Sequence, residues 1–222
     1  MKKENDDVLR IDLHVHTAYS YDGFTTIEQL NAVCQRRGIN ALAITDHETV
    51  EAALLCKKSL PLQVIVGEEV TTASGHLIGL FLKYWIPPGL SVGETIDRIR
   101  DQGGLVYLPH PFDRVRSGYM SPTQLQELAN RFDVVEVFNS RNLFGDANHK
   151  ALAFAESHSL PRAVGSDAHI PHEVGRSLLR MKAFSGSEEF LINLKQAHLT
   201  TRKTPLGVRA FIKMRKKFSG IS

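Results

Sequence analysis

Five short runs of ionisable residues follow directly on apolar stretches of the chain: Asp12-Leu-His14-Val-His16, Thr45-Asp46-His47, Glu68-Glu69, His110 and Ser166-Asp167-Ala168-His169. His14 and His16 are two residues apart, which on an extended strand puts both imidazoles on one face. A strand histidine taken alone is commonly a hydrogen-bonded structural residue, so the pair by itself leaves metal binding and a structural role open. The recurrence of the theme favours metal, because burying unpaired carboxylates is costly and a cation removes that cost. Mixed imidazole and carboxylate donors suit Zn2+, Mn2+ or Fe2+, whereas an all-oxygen set would point to Mg2+ or Ca2+. Asp12 and Asp46 stand two residues and one residue before a histidine. They read as carboxylates that accept the second ring N–H of a ligating histidine rather than as ligands.

These runs need elements that bring them together. Aliphatic or β-branched stretches at 8–15, 41–45, 63–70, 76–82, 104–108, 134–138 and 163–165 read as buried strands. Helical patterns separate most of them. Residues 26–37 place Ile27, Leu30, Val33 and Cys34 on one face and stop at Gly38. Ser91 with Glu94 has capping-box spacing, Ser121-Pro122 with Gln124 starts another helix, and 146–157 is a further candidate. Such alternation implies a mainly parallel sheet, closed into a barrel or open and doubly wound. The barrel is favoured, because the ionisable runs fall at the C-terminal strand ends, which converge on one mouth.

At 222 residues and 42% hydrophobic, the chain forms one sizeable core. The division expected is a barrel over 1–200 and a basic helical tail over 201–222. Cys34 and Cys56 lack metal-type or secretory spacing and read as reduced thiols. Residues 1–7 are charged and no run of about 18 apolar residues occurs, so a soluble cytoplasmic protein with no signal peptide and no membrane span is expected. Residues 202–222 carry seven Lys or Arg and no acid, leaving 20 basic against 24 acidic groups in the rest. A mildly acidic body with ten histidines suits a cation-binding enzyme better than a nucleic-acid-coating surface.

Seven ordered elements resemble the motifs of the polymerase and histidinol phosphatase (PHP) domain. They are Asp12-Leu-His-Val-His-Thr17, Tyr21-Asp22-Gly23, Thr45-Asp46-His47, Gly67-Glu68-Glu69-Val70, Gly75-His76, Pro109-His110-Pro111 and Gly165-Ser166-Asp167-Ala168-His169. The resemblance covers about residues 10–180. It implies a stand-alone metal-dependent phosphoesterase, an α/β protein with a distorted seven-stranded (β/α)7 barrel and two to three divalent cations. Residue by residue, it implies that His14, His16, Glu69 and Asp167 hold one cation. Glu69 would bridge to a second held by His76 and His110, and Asp22, His47 and His169 would hold a third. Some relatives carry His in place of Asp22, and a carboxylate there makes the position harder and suited to Mn2+. Of Glu68 and Glu69, alignment with Val70 selects Glu69.

A cluster of this kind brings bound water near neutral pKa and stabilises attacking and leaving oxygens of a phosphoryl group. The expected reaction is hydrolysis of a phosphate mono- or diester by in-line attack of a metal-activated hydroxide, with Asp167 and His169 catalytic as well as ligating. Arg114 and Arg116 follow the His110-Pro111 element, and Arg141 follows Glu136-Val-Phe-Asn139-Ser, which resembles the family's substrate-facing segment. Guanidinium groups there could position the ester bidentately, although surface arginines are common. Only 25 residues separate His110 from Glu136, so an open mouth without a large capping domain is expected. It would admit a nucleotide, a sugar phosphate or a similar small phosphorylated substrate.

Phe211, Met214 and Phe218, with Lys213, Arg215, Lys216 and Lys217 between them, suggest an amphipathic basic helix docked on the barrel, with nucleic-acid or membrane contact as the alternative. Two rival functions stand beside the small-molecule phosphoesterase: a nuclease acting on DNA or RNA ends, and a non-catalytic metal-binding module. His149, His158, His172 and His198 read as surface residues. Nothing in the sequence fixes an oligomeric state.

Overall fold

A computed structural model describes residues 8–114, 119–142 and 145–208. Among the described residues nine strands form one sheet: β1 (Val8–Val15), β2 (Ala41–Ile44), β3 (Gln63–Thr72), β4 (Gly75–Leu80), β5 (Leu105–Leu108), β6 (Val134–Asn139), β7 (Arg162–Gly165), β8 (Leu178–Lys182) and β9 (His198–Thr200). Their order is β7-β6-β5-β4-β3-β2-β1-β8-β9. The curl nearly closes just beyond β7. There Ala168 pairs with Val15 in a parallel bridge, the His16 amide donates to the Ala168 carbonyl (2.9 Å), and the Ala168 amide donates to the His14 carbonyl (3.4 Å). The result is a mixed α/β fold with a barrel-like sheet.

The first seven strands fall where the sequence places them. The structure adds β8 and β9, and both β8 on β1 and β9 on β8 pair antiparallel. β4 is also antiparallel to both neighbours, because the chain turns back at Ala73-Ser74 without a crossover helix. That reversal places the first residues of β4, rather than its last, at the mouth beside the end of β3, with His76 opposite Thr71.

The helices cover the outer face. α1 (Ile27–Arg37) starts at a capping box between Thr26 and Gln29 and stops at Gly38, whose φ of 62° lets its amide reach back to the last carbonyls. α2 (Glu51–Ser59), α3 (Val92–Asp101), α4 (Pro122–Glu127), α5 (Gly145–Ser157) and α6 (Ser187–Leu194) follow. Ser91 with Glu94 and Ser121 with Gln124 form the capping boxes of α3 and α4. β1 shows the division of labour between its faces: Leu9, Ile11, Leu13 and Val15 alternate with Asp12 and His14, and nearly all are buried. One set of side chains packs in the apolar core while the other lines the barrel interior.

Cys34 and Cys56 are buried and free. Among the described residues no helix is long and apolar enough to cross a membrane. Arg116 and the tail residues from Phe211 onward lie outside the described residues.

Candidate metal centre

The barrel interior gathers the ionisable residues into one contiguous cluster. β1 and the turn after it supply His14, His16 and Asp22; the ends of β2 and β3 supply His47 and Glu69; the start of β4 supplies His76. His110 follows β5, and Asp167 and His169 follow β7. Among the described residues four overlapping groups have ligand atoms within 4.8 Å of one another: His16, Asp22, His47 and His169; His14, His16 and Glu69; His14, His110 and Asp167; and Glu69, His76 and His110. All nine residues singled out in the sequence are therefore brought together. Two of them, His110 (φ 31°) and Asp167 (φ 54°), have left-handed backbone, a conformation unusual for residues other than glycine.

Glu69 stands at the centre and is fully buried. Its Oε1 lies 2.9 Å from both His76 Nδ1 and His110 Nε2. Its Oε2 lies 3.0 Å from His14 Nε2 and 3.2 Å from His16 Nε2. Asp167 Oδ1 is 3.5 Å from His16 Nε2 and 3.8 Å from His14 Nε2. Asp22 Oδ2 is 2.8 Å from His169 Nε2 and 3.9 Å from His47 Nε2. Glu68 points elsewhere and accepts the Ile86 amide at 2.8 Å, and burial pushes its carboxyl up to about 8.

The electrostatics are those of a charge nest. Burial works against a proton on His16, but hydrogen bonds to Asp167 and Glu69 and the charge of Glu69 outweigh it and raise the imidazole to about 9. Burial lowers His47 to about 4. Burial and the neighbouring Arg141 lower His169 to about 3. Asp22 and Glu69 are held well below the carboxylate range by the histidines around them, against the effect of burial. Where a raised histidine faces a carboxylate, a proton holds nitrogen and oxygen together, and a divalent cation satisfies the same two atoms. Imidazole nitrogens and carboxylate oxygens facing one another at 2.8–3.9 Å in a buried interior fit a divalent cation that takes mixed nitrogen and oxygen ligands.

The expectation that Asp12 and Asp46 orient imidazoles is corrected. Asp12, pushed up by burial to about 6, accepts the amides of Ser166 (3.0 Å), Gly175 (2.7 Å) and His14 (3.4 Å). Asp46 accepts the Thr17 amide (2.5 Å) and hydroxyl (2.7 Å). Both anchor backbone around the site. The carboxylate that meets a ligand's second ring nitrogen is Glu136, whose Oε1 is 3.0 Å from His14 Nδ1. Its signal in the sequence was a lone acid within the apolar strand Val134–Phe138.

Arg141 lies against the cluster. Its Nη1 is within hydrogen-bond distance of His169 Nδ1 and 3.8 Å from Asp167 Oδ1, and its Nε is 3.6 Å from Glu173 Oε1. Glu173, fully buried and accepting the His169 amide at 2.9 Å, is a second residue that sequence reasoning passed over. Asn139 spends its side-chain amide on Glu136 (2.9 Å) and Asp167 (3.1 Å), inside the site rather than at the mouth. Arg114 is exposed; the charge neighbour found for it is Asp146 on α5, and no contact joins it to the cluster among the described residues. His149, His172 and His198 are exposed, and His158 packs on Phe154 with ring centroids 4.5 Å apart.

The chain belongs to the PHP-domain family, whose profile matches residues 12–199. It is 39% identical over 175 residues to an uncharacterized protein of Methanocaldococcus jannaschii, MJ0417, covering 78% of this chain and 70% of that one. Among solved structures it resembles a two-domain protein of Bacteroides vulgatus containing a predicted PHP-like metal-dependent phosphoesterase. The TM-score is 0.68 at 18% identity, over 88% of this chain and 65% of that chain. It also resembles Endonuclease Q in complex with a 27-mer duplex carrying an abasic lesion, with a TM-score of 0.62 at 17% identity, over 85% of this chain and 57% of that one. The chain thus spans less than two thirds of either solved relative.

Proposed function

We propose that this chain is a hydrolase of phosphoric ester bonds that uses two to three divalent cations, Mn2+, Zn2+ or Fe2+, to cleave a phosphate mono- or diester of a small molecule. The observation that carries this reading is Glu69, whose two carboxylate oxygens face two different pairs of imidazoles. A carboxylate so flanked is suited to bridge two cation positions. His14, His16 and Asp167 complete one position, His76 and His110 a second, and Asp22, His47 and His169 a third. When bound, the cations supply charge neutralisation of the phosphoryl oxygens and a water of lowered pKa.

The chain's own residues do the rest. His14, His16, Glu69 and Asp167 are fully buried, so their charges act where water does not screen them. Arg141, with 13% of its side chain exposed, brings a permanently charged guanidinium to the edge of the cluster, where it could meet a phosphoryl oxygen. The test is a panel of mononucleotides, 3′,5′-bisphosphates, sugar phosphates, histidinol phosphate and short oligonucleotides, each with added Mn2+, Zn2+ or Fe2+. Turnover of at least one ester that depends on the added cation is expected; no turnover with any cation would leave a non-catalytic metal-binding module.

A second reading, a nuclease acting on DNA or RNA ends, is favoured by the likeness to Endonuclease Q and by the 25-residue connection from His110 to Glu136, too short for a large cap. Cleavage of oligonucleotides in preference to mononucleotides, with binding that falls steeply as salt rises, would select it.

A further inference from the structure

We propose that Glu136 is the positioning residue of the candidate centre: one buried carboxylate on β6 fixes the ring of His14, the backbone of His110 and, through Asn139, the carboxylate of Asp167. This rests on the metal-centre reading above. Glu136 belongs to none of the groups able to share a cation, although it lies within the same interior. Each of its oxygens instead accepts from two donors. Oε1 meets His14 Nδ1 (3.0 Å) and the Tyr107 hydroxyl (3.0 Å). Oε2 meets the His110 amide (2.8 Å) and the Asn139 amide nitrogen (2.9 Å).

Three consequences follow for residues from three different strands. Both ring nitrogens of His14 face carboxylates at 3.0 Å, Nδ1 towards Glu136 and Nε2 towards Glu69; a cation held beside Glu69 would replace the proton on Nε2, and the Nδ1–H bond to Glu136 would then keep the Nε2 lone pair turned into the centre. The His110 amide bond to Oε2 braces a residue whose φ of 31° is otherwise unfavourable. The Asn139 side chain, held by Oε2, reaches Asp167 Oδ2 at 3.1 Å and sets the direction of that carboxylate. Burial, with Glu136 beside it, holds the Tyr107 phenol far above its ordinary value, so Tyr107 stays a donor.

The network demands a carboxylate and not an amide. Glutamine has one accepting and one donating end, and each end of Glu136 already faces two donors. Either orientation of Glu136→Gln therefore points an NH2 at two N–H or O–H groups. The substitution is nearly isosteric, so it removes the acceptor while keeping the volume.

The test uses the full chain, stripped with a chelator, and measures Mn2+ and Zn2+ affinity by competition titration, together with the nitrogen-15 signals of the His14 ring after reloading with Zn2+. Glu136→Gln is expected to weaken affinity by about 10–100-fold and to lose the single Nδ1–H form of His14. Asn139→Ala is expected to weaken affinity while the His14 signals stay as in the wild type, a split that general loosening would not give. Should Glu136→Gln fail to fold, Asn139→Ala and the His14 tautomer of the wild type decide the matter. Unchanged affinity in the folded variants, or a Zn2+-loaded wild type whose His14 carries no proton on Nδ1, overturns the proposal. A wild type that takes up neither ion overturns the metal reading beneath it as well, whereas equal uptake by wild type and variants overturns the role of Glu136 alone.

Discussion

A methyl group added to Gly165 would stand 2.2 Å from Glu136 Oε1 and 2.5 Å from the Cβ of His14. The last residue of β7 is glycine because the carboxylate of β6 and the imidazole of β1 meet beside it. Neither neighbour can retreat: the Cβ is fixed to the backbone, and the oxygen is held by two donors. Gly165→Ala is expected to lower stability by about 1–3 kcal/mol, the usual cost of overpacking, and to weaken cation uptake. Gly186→Ala, whose added Cβ meets nothing within 4 Å, serves as the control. Thermal denaturation of both variants, with and without Mn2+, checks this.

Loss of a ligand should cost more than loss of an outer partner. His14→Ala and Asp167→Ala each remove a fully buried donor at 0% exposure. Cation-dependent turnover is expected to fall by more than about 100-fold, beyond the 10–100-fold typical of an outer hydrogen-bond partner. Metal content after gel filtration, measured by elemental analysis, should drop in parallel. Turnover that survives either substitution would show the cluster is not the reacting centre.

Arg141 offers a planar, permanently charged donor beside His169 and Asp167. Arg141→Ala is expected to lower kcat/KM by about 10–150-fold, matching about 1.5–3 kcal/mol for a hydrogen bond to a charged group. Arg141→Lys keeps the charge but not the fork and should recover only part of this. Steady-state kinetics with the best ester of the panel provide the measurement; equal rates for all three proteins would remove Arg141 from substrate contact.

Stability of the metal-free chain should depend on pH in a defined sense. His16 is raised from 6.5 to about 9, so its proton stabilises the fold; that contribution is complete below about 6.5 and is lost as pH rises through about 9. Glu68, raised from 4.5 to about 8 by burial, acts in the same direction. His47, lowered from 6.5 to about 4 by burial, acts on the acid side, where stability is lost as pH falls through that window. Chelator-treated protein should therefore show thermal midpoints that fall between about pH 6.5 and 9. Saturating Mn2+ should flatten the profile, because ligand nitrogens bind metal without their protons. Midpoints that rise with pH in the metal-free protein would contradict the charge nest.

The positions of β1 to β7 were legible because each is a short apolar run ending in ionisable residues. The nine clustered residues were legible largely through ordered motifs, since spacing alone said little of Asp22 or His76. His76 shows why: it heads a strand, and only the antiparallel run of β4 brings that end to the mouth. β8 and β9 were passed over because Leu178–Lys182 alternates with charge and His198–Thr200 is three residues long. The roles of Asp12 and Asp46 were misread because proximity in sequence to a histidine does not say whether a carboxylate turns towards the ring or towards backbone amides. The reach of Glu136 to His14 spans 122 residues, which no local pattern reports.

The β3–β4 hairpin has a bearing on how the chain assembles. Glu69 and His76 lie seven residues apart within it, so this arm of the centre closes a small loop and needs little of the rest of the molecule. The arm built on His14, Glu136 and Asp167 joins segments far apart in sequence, His14 and Glu136 being 122 residues apart, so its closure costs more chain entropy. The centre thus joins an arm local in sequence to an arm assembled over long range, at the single side chain of Glu69.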